Sequence, residues 1–389
     1  MPIVNRMAEL HDEITAWRHE IHANPELLYE VHETAAGVAE KLRAFGCDEV
    51  VTGIGRTGVV GLVRGRAHES GHVVGFRADM DALPITEITE RPYKSQHPGR
   101  MHACGHDGHT AMLLGAAKYL CETRNFDGTV ALIFQPAEEG GAGGKAMVDD
   151  GLMDRFGIRE VYGMHNLPGL EVGSFAIREG AIMAATDEFQ IRVKGKGSHA
   201  AMPHLGIDPI VLSAEIISNL QTIVSRTNSP FEPLVVSVTQ LNAGTALNII
   251  PESVEFSGTI RSMSAEGRSM AMDRIKCIVE GLCSAHGAEC EVHFNSGYPV
   301  TFNHSDETGK AVNTAKLVAG DGKVDPDYEP MMGGEDFSYM LLERPGAFIF
   351  VGNGDTAGLH HPAYDFNDEA IPYGTSYWAK LAETLMPIQ

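Results

Sequence analysis

The stretch Val73-Val74-Gly75-Phe76-Arg77-Ala78-Asp79-Met80-Asp81 sets an apolar run directly against charged residues. The run does not alternate polar with apolar positions, so the expected structure is a strand buried on both faces. The pattern recurs: Val130–Phe134 leads into Gln135-Pro136-Ala137-Glu138-Glu139, Val161–Met164 into His165-Asn166, and Ala347–Val351 runs on towards His360-His361. Helical patterns lie between these runs. Met112, Leu113, Ala116, Ala117 and Leu120 share one face, with Asp107 as the expected N-cap. Upstream, Ala8–His22 and Thr34–Phe45 read as helices separated by Asn24-Pro25-Glu26 and closed by Gly46. Strands alternating with helices predict an α/β fold with a mostly parallel central sheet and flanking helices.

The rhythm changes in the middle of the chain. Strand Glu188–Val193, helix Pro209–Ser225, strands Leu234–Leu241 and Ser253–Ile260, helix Ala265–His286 and strand Glu289–Phe294 give β-α-β-β-α-β, the ferredoxin-like order. The first pattern resumes after Pro299, so the expected architecture is an α+β domain, residues 187–296, inserted into a discontinuous domain of residues 1–186 and 297–389. A length of 389 residues agrees with two domains.

Composition narrows the function. A formal charge of −22 offers no basic footprint for nucleic acid or an anionic membrane. The first twenty residues lack a signal-peptide apolar core, and no run approaches the roughly 18 apolar residues of a membrane span. Six cysteines scattered through a long chain point to a reducing compartment, so a cytoplasmic protein is expected. Two motifs fail. Gly53-Ile54-Gly55-Arg56-Thr57-Gly58 fits a dinucleotide fingerprint in letters, but a strand pattern follows where a helix is required, and a glycine-rich hairpin is the better reading. Gly140–Lys145 has the wrong spacing for a phosphate loop and is followed by Ala146. There is no G-x-S-x-G elbow.

In open α/β sheets, ligands bind beyond the carboxyl ends of the strands. Here those ends carry Asp79, Asp81, Glu138, Glu139 and His165, with His102-Ala103-Cys104-Gly105-His106-Asp107-Gly108-His109 entering a helix between the first two strands. A lone strand-end histidine is ordinarily a hydrogen-bonded core residue, and adjacent glutamates are ordinarily a solvated face. Their convergence is different. Carboxylates and a thiol in one crevice would repel one another and take up protons unless cationic charge were bound among them. Cys104 and His106 can point the same way from extended backbone, and Glu139, His165 and His361 add donors. That is more than one tetrahedral ion needs, so two divalent ions about 3.5–4 Å apart are expected. A mixed S, N and O donor set favours Zn²⁺ on softness, with Mn²⁺, Co²⁺ and Ni²⁺ also compatible because geometry and supply decide.

The strings RADMDALP (77–84), HACGHDGHT (102–110), FQPAEEG (134–140), MHN (164–166), GKGSHAAMPH (195–204) and HHPAYDFND (360–368) closely resemble the M20 metallopeptidase superfamily. The resemblance is to its amidohydrolase branch of hippurate hydrolases, N-acyl-L-amino-acid amidohydrolases and auxin-conjugate hydrolases. It implies a dinuclear hydrolase that cleaves small N-acyl amino acids, with metal on Cys104, His106, Glu139, His165 and His361. Glu138 would be the general base and Asp81 the carboxylate orienting a metal-bound histidine. Asp79 stands where the wider superfamily has a metal-binding histidine, a ligand that Cys104 replaces in this branch. The inserted domain would be a dimerising lid, giving a homodimer. Within it, Arg261 and Asn248 resemble the holders of the substrate carboxylate, a task suited to an arginine fork. His199 is the candidate oxyanion donor, carried into a partner subunit's crevice when exposed edge strands pair. Gly333-Gly334-Glu335-Asp336 resembles a backbone wall of the pocket.

The alternatives are an aminopeptidase or dipeptidase, or a deacylase of a biosynthetic diamine. A cysteine hydrolase using Cys104 would leave Glu139, His165 and His361 unexplained, and a non-catalytic binding protein would not need every ligand and base position filled.

Overall fold

The structure, a computed structural model, describes residues 4–388. The four apolar runs become the strands Val73–Asp79, Thr129–Gln135, Glu160–Pro168 and Gly346–Gly354. They form one contiguous parallel block, ordered Thr129–Gln135, Val73–Asp79, Glu160–Pro168, Gly346–Gly354. The sheet as a whole has eight strands and is mixed. Glu49–Ile54 and Gly58–Arg64 pair antiparallel, because the three residues between them allow only a hairpin. That hairpin is the Gly53–Gly58 string, with Ile54 opposite Gly58. Gly58–Arg64 continues antiparallel onto Thr129–Gln135, and Phe175–Ala176 runs antiparallel to Gly346–Gly354.

Helices pack on this sheet. The expected N-terminal helix is broken at Leu10 into Asn5–Glu9 and His11–Ala23. The next, His32–Phe45, ends at Gly46 in the left-handed region (φ 89°), where glycine carries no Cβ penalty. Helix His106–Thr123 is buried along most of its length, and Phe76 on the sheet stacks on Trp378 of helix Ile371–Leu385 at 5.0 Å. Fully buried side chains of this kind each contribute roughly 1.5–3 kcal/mol, and together they fix the strand ends in space.

The chain divides into two compact units. The first takes Met1–Ile182, Phe302–Glu329 and Asp336–Gln389; the second takes Met183–Thr301 and Pro330–Glu335. The second has its own antiparallel sheet, ordered Leu234–Ala243, Ser253–Ser262, Ala185–Lys194, Glu289–Ser296, with helices Pro209–Thr222 and Ala265–His286. Asp208 caps the first of these helices by accepting from the Ile210 and Val211 amides, and Ser264 caps the second through Gly267 N. Phe189, Ile216, Leu220, Ile260 and Ile275 lie in its separate core. The unit is larger than residues 187–296. Thr186 N bonds Tyr298 O, and Ala184 N bonds Met331 O and Gly333 O, which draws in both flanks and a distant segment. Among the described residues, no helix is long and apolar enough to cross a membrane.

Candidate metal centre

The parallel strands deliver Asp79, Gln135 and His165 to one edge of the sheet, and loops bring the remaining groups to them. Asn166 Nδ2 donates to Cys104 O at 2.6 Å, and His360 N donates to Ala103 O at 2.8 Å, tying the cysteine loop to two other segments. Cys104 and His106 are not on extended backbone. Gly105 between them is left-handed (φ 93°), and a Cβ there would lie 2.2 Å from Asn166 Nδ2 and 2.5 Å from Tyr364 Oη. Glycine is therefore required for the turn that starts the His106–Thr123 helix.

Donor atoms of Cys104, His106 and His165 lie within 4.8 Å of one another. The same holds for Cys104, Glu139 and His360, and for His106, Glu138 and Glu139. The protein fixes the tautomers. His106 Nδ1 is 2.8 Å from Asp81 O and His165 Nδ1 is 2.6 Å from Asn166 O, so each imidazole donates through Nδ1 and turns the Nε2 lone pair inward. His165 Nε2 lies 3.3 Å from Cys104 Sγ. His106 Nε2 is buried with no hydrogen-bond partner, and Glu139 Oε1 is buried without a well-aligned one. A thiol, two inward-turned imidazole nitrogens and two carboxylates, with little besides a proton on His106 and the His360 ring to offset their charge, are the arrangement a cation satisfies.

Charge supports the same reading. Burial, then Glu139, Glu138 and Asp79, push the Cys104 thiol well above its ordinary range. A cation bound beside it would draw that thiol back towards the thiolate a ligand requires. Burial would lower His106, but Asp79, Asp81 and Glu139 outweigh it and push it up to about 10. Burial, with His109 beside it, holds His165 well below its ordinary value, the neutral form a metal ligand requires.

His360, rather than His361, reaches the cluster. Both rings are exposed, but His360 Nε2 is 3.3 Å from Glu139 Oε1, whereas His361 Nδ1 accepts from Ala363 N at 3.1 Å. The cause is local: His360 is left-handed (φ 63°) and anchored to Ala103 O, so the two histidines face different ways. Asp81 does more than hold a histidine. Its Oδ1 accepts from Glu138 N at 2.9 Å and its Oδ2 from Glu139 N at 3.1 Å, fixing the backbone of both glutamates. Asp79 is neutralised within the fold, 2.7 Å from Arg77 Nη1 and 2.6 Å from His109 Nδ1. His109 Nε2 in turn accepts from Asn166 N at 2.9 Å. The Asp336 carboxylate accepts from Arg77, Gln135 and the Gly144 amide. Asp107 is not an N-cap either, because its side chain is buried against Arg18 and His22.

Residues 75–384 match peptidase family M20/M25/M40. The chain belongs to this family. It is 41% identical to the hippurate hydrolase of Campylobacter jejuni over 98% of this chain and 99% of that one. It is 44% identical to thermostable carboxypeptidase 2 of Saccharolobus solfataricus, over 90% and 88% of the two chains. A Bacillus subtilis structure described as a dinuclear metal binding peptidase from the M20 family superposes with a TM-score of 0.86 at 34% identity, covering 97% of this chain and 99% of that one. The protein is thus an M20 hydrolase.

Three residues expected in this M20 enzyme's site lie in its second unit. His199 pairs with Ile249 in a short antiparallel ladder, and Ala200 N donates to Asn248 O at 3.0 Å, so His199 and Asn248 are neighbours. His199 is exposed, and its Nδ1 accepts from Ala201 N. This ladder prolongs the Ser253 end of the strand Ser253–Ser262, where Ser253 faces Lys194 and Gly195 N bonds Glu252 O. Arg261 sits at the other end of the strand, opposite Thr186, about 26 Å from Ser253 at the usual rise per residue. The fold of one chain therefore separates Arg261 from Asn248.

Proposed function

We propose that the protein is a dinuclear metal amidohydrolase that cleaves N-acyl-L-amino acids, hippurate-like substrates included, to a carboxylic acid and a free amino acid. The observation that carries this reading is the convergence of donor atoms from Cys104, His106, Glu139 and His165, with His106 Nε2 and Glu139 Oε1 buried and without a well-aligned hydrogen bond. Cys104, His106, Glu139 and His165, with His360 in place of His361, would hold two divalent ions, Mn²⁺ or Zn²⁺, with Co²⁺ and Ni²⁺ compatible. Bound there, such ions lower the pKa of water and polarise an amide carbonyl. Glu138 takes the water's proton and delivers it to the leaving nitrogen. Asp81 holds the backbone of Glu138 in place and the tautomer of His106.

The relatives named hippurate hydrolase and carboxypeptidase share a leaving group, an amino acid with a free carboxylate. Arg261 suits that carboxylate, and the carboxypeptidase relative supports peptides as a second substrate class. The protein works as a homodimer in this reading. The strand Leu234–Ala243 ends the second unit's sheet, and exposed Leu241, Leu247 and Ile249 lie on it or beside Asn248. Pairing of two such edges lets Arg261 of one chain act with Asn248 and His199 of the other, His199 donating to the oxyanion. The scattered thiols favour the cytoplasm.

The test is a screen on chelated and then metal-reconstituted enzyme. It uses N-acyl amino acids, the matching amides without a carboxylate, and dipeptides with a free α-amine. Hydrolysis of N-benzoyl and N-acetyl amino acids with the carboxylate required is expected. Turnover confined to substrates with a free α-amine would replace this reading with a peptidase.

A further inference from the structure

Outside the metal centre, the thiols of Cys47 and Cys121 face each other with sulfur atoms 3.6 Å apart. Cys47 follows the Gly46 cap of helix His32–Phe45, and Cys121 lies in the last turn and a half of helix His106–Thr123. Both are partly exposed, so a small reagent can reach them. The juxtaposition is built. Arg124, itself left-handed (φ 48°), donates to Gly46 O at 2.9 Å and to Asp48 Oδ2 at 2.7 Å, clasping the residues on either side of Cys47.

We propose that Cys47 and Cys121 form an oxidisable dithiol, a modification site that reacts with small-molecule disulfides to close a Cys47–Cys121 bond. Closing it needs the sulfurs to approach by about 1.5 Å, within reach of side-chain rotation. The shared S–H···S hydrogen bond and the nearby Arg124 guanidinium favour a thiolate at the pair, and Cys121 can attack first. The Cys121 thiolate attacks one sulfur of the reagent disulfide, forming a mixed disulfide and expelling one reagent thiolate. Cys47, losing its proton to solvent, attacks the Cys121 sulfur and expels the second. The two cysteines lose two electrons and two protons, and the reagent disulfide becomes two thiols.

The bond spans a sequence separation of 74 residues and ties the helix that begins at His106 to the start of the sheet. It constrains the unfolded chain strongly. Cys121 is about 22 Å along the helix from His106, so the reaction geometry at the strand ends is untouched. Oxidation here hardens the fold without switching the enzyme.

The test treats metal-loaded enzyme with oxidised glutathione, followed by peptide mapping, thermal unfolding and turnover. Expected are a Cys47–Cys121 cross-linked peptide lighter by two hydrogen atoms, unfolding raised by about 5 °C or more, and unchanged turnover. The unfolding shift should vanish in Cys47→Ser and in Cys121→Ser. Cys283 and Cys290 are also neighbours, but Cys283 is buried, so this pair is an internal control. The proposal is overturned by mapping that finds stable glutathione adducts, by a link at Cys283–Cys290 alone, or by a shift that survives in either serine variant. Mapping of the wild-type protein decides the matter even where a variant folds poorly.

Discussion

His106 and Asp107 are consecutive residues on one helical turn, and they feed two buried charge clusters built on opposite principles. Asp107 belongs to a network that neutralises itself. Arg18 lies 3.2 Å from Asp107 and 2.7 Å from Asp368, His22 lies 2.8 Å from Asp107 and 3.4 Å from Glu87, and the Tyr93 ring covers Arg18 at 4.3 Å. His106 belongs to a cluster in which Asp81, Glu138, Glu139 and Cys104 crowd together while Arg77 is engaged by Asp79 and Asp336. Burial and charge density are similar, so neither distinguishes a structural network from a binding site. The distinction is whether the fold supplies the counter-charge, or leaves it to come from outside.

The largest effect should come from withdrawing that outside charge. Prolonged chelation is expected to abolish amide hydrolysis, and Mn²⁺ or Zn²⁺ to restore it, while the Arg18 network stays folded. His360→Ala should copy chelation by lowering metal content and activity together. His361→Ala should leave metal content near wild type. Metal analysis by mass spectrometry checks both, and the reverse pattern would return the ligand role to His361.

Within the metal cluster, Glu138→Gln should cut turnover by about 10²–10⁴-fold, the range for a lost general base. Metal content should hold, because Asp81 still clasps the backbone and the proposed ligand role falls to Glu139. Glu139→Gln should instead lose metal. Exchange of these two phenotypes would mean that base and ligand are swapped.

The contrast between the clusters also marks what the sequence could reveal. Unalternated runs such as Val73–Phe76 identify buried strands, and the helix read as Ala265–His286 has those same bounds in the structure because Ser264 and Gly287 close it. Asp79, Glu138, Glu139 and His165 are legible as groups at or just past strand ends for the same reason. The choice between His360 and His361 is not, since it depends on one left-handed φ and one bond to Ala103. Nor is the role of Asp107, whose partner Arg18 is 89 residues away, or of Asp336, 259 residues from Arg77. His109 carried a signal, three residues after His106 on the same helix, where side chains share a face.

Asp107→Ala tests the self-neutralised side. It strips Arg18 and His22 of a shared partner and leaves cationic groups buried, which should cost about 3–5 kcal/mol. Denaturant unfolding measures this on metal-loaded protein. A loss under about 1 kcal/mol would show that Asp365, Asp368 and Glu87 suffice without it.

The smallest expected effect is a pH dependence that only the self-neutralised cluster should show once metal is bound. Burial works against the charge on His22, but Asp107 and Glu87 outweigh it and push it up to about 9 from an ordinary 6.5. A histidine raised on folding contributes stability that is fully present below the unfolded value and is lost as pH rises through the folded one. The window is therefore pH 6.5 to about 9. The loss across it should be of order 3 kcal/mol, and His22 is almost wholly shielded from solvent, so little of this is screened. His22→Gln should flatten the profile in that window and leave the slope below it alone. Metal-loaded protein is the proper sample, because ions held as proposed would take the place of the proton on His106 and remove its own slope. If wild type and His22→Gln lose stability in parallel from pH 6.5 to 9, His22 is neutral in the folded protein and Arg18 alone balances Asp107.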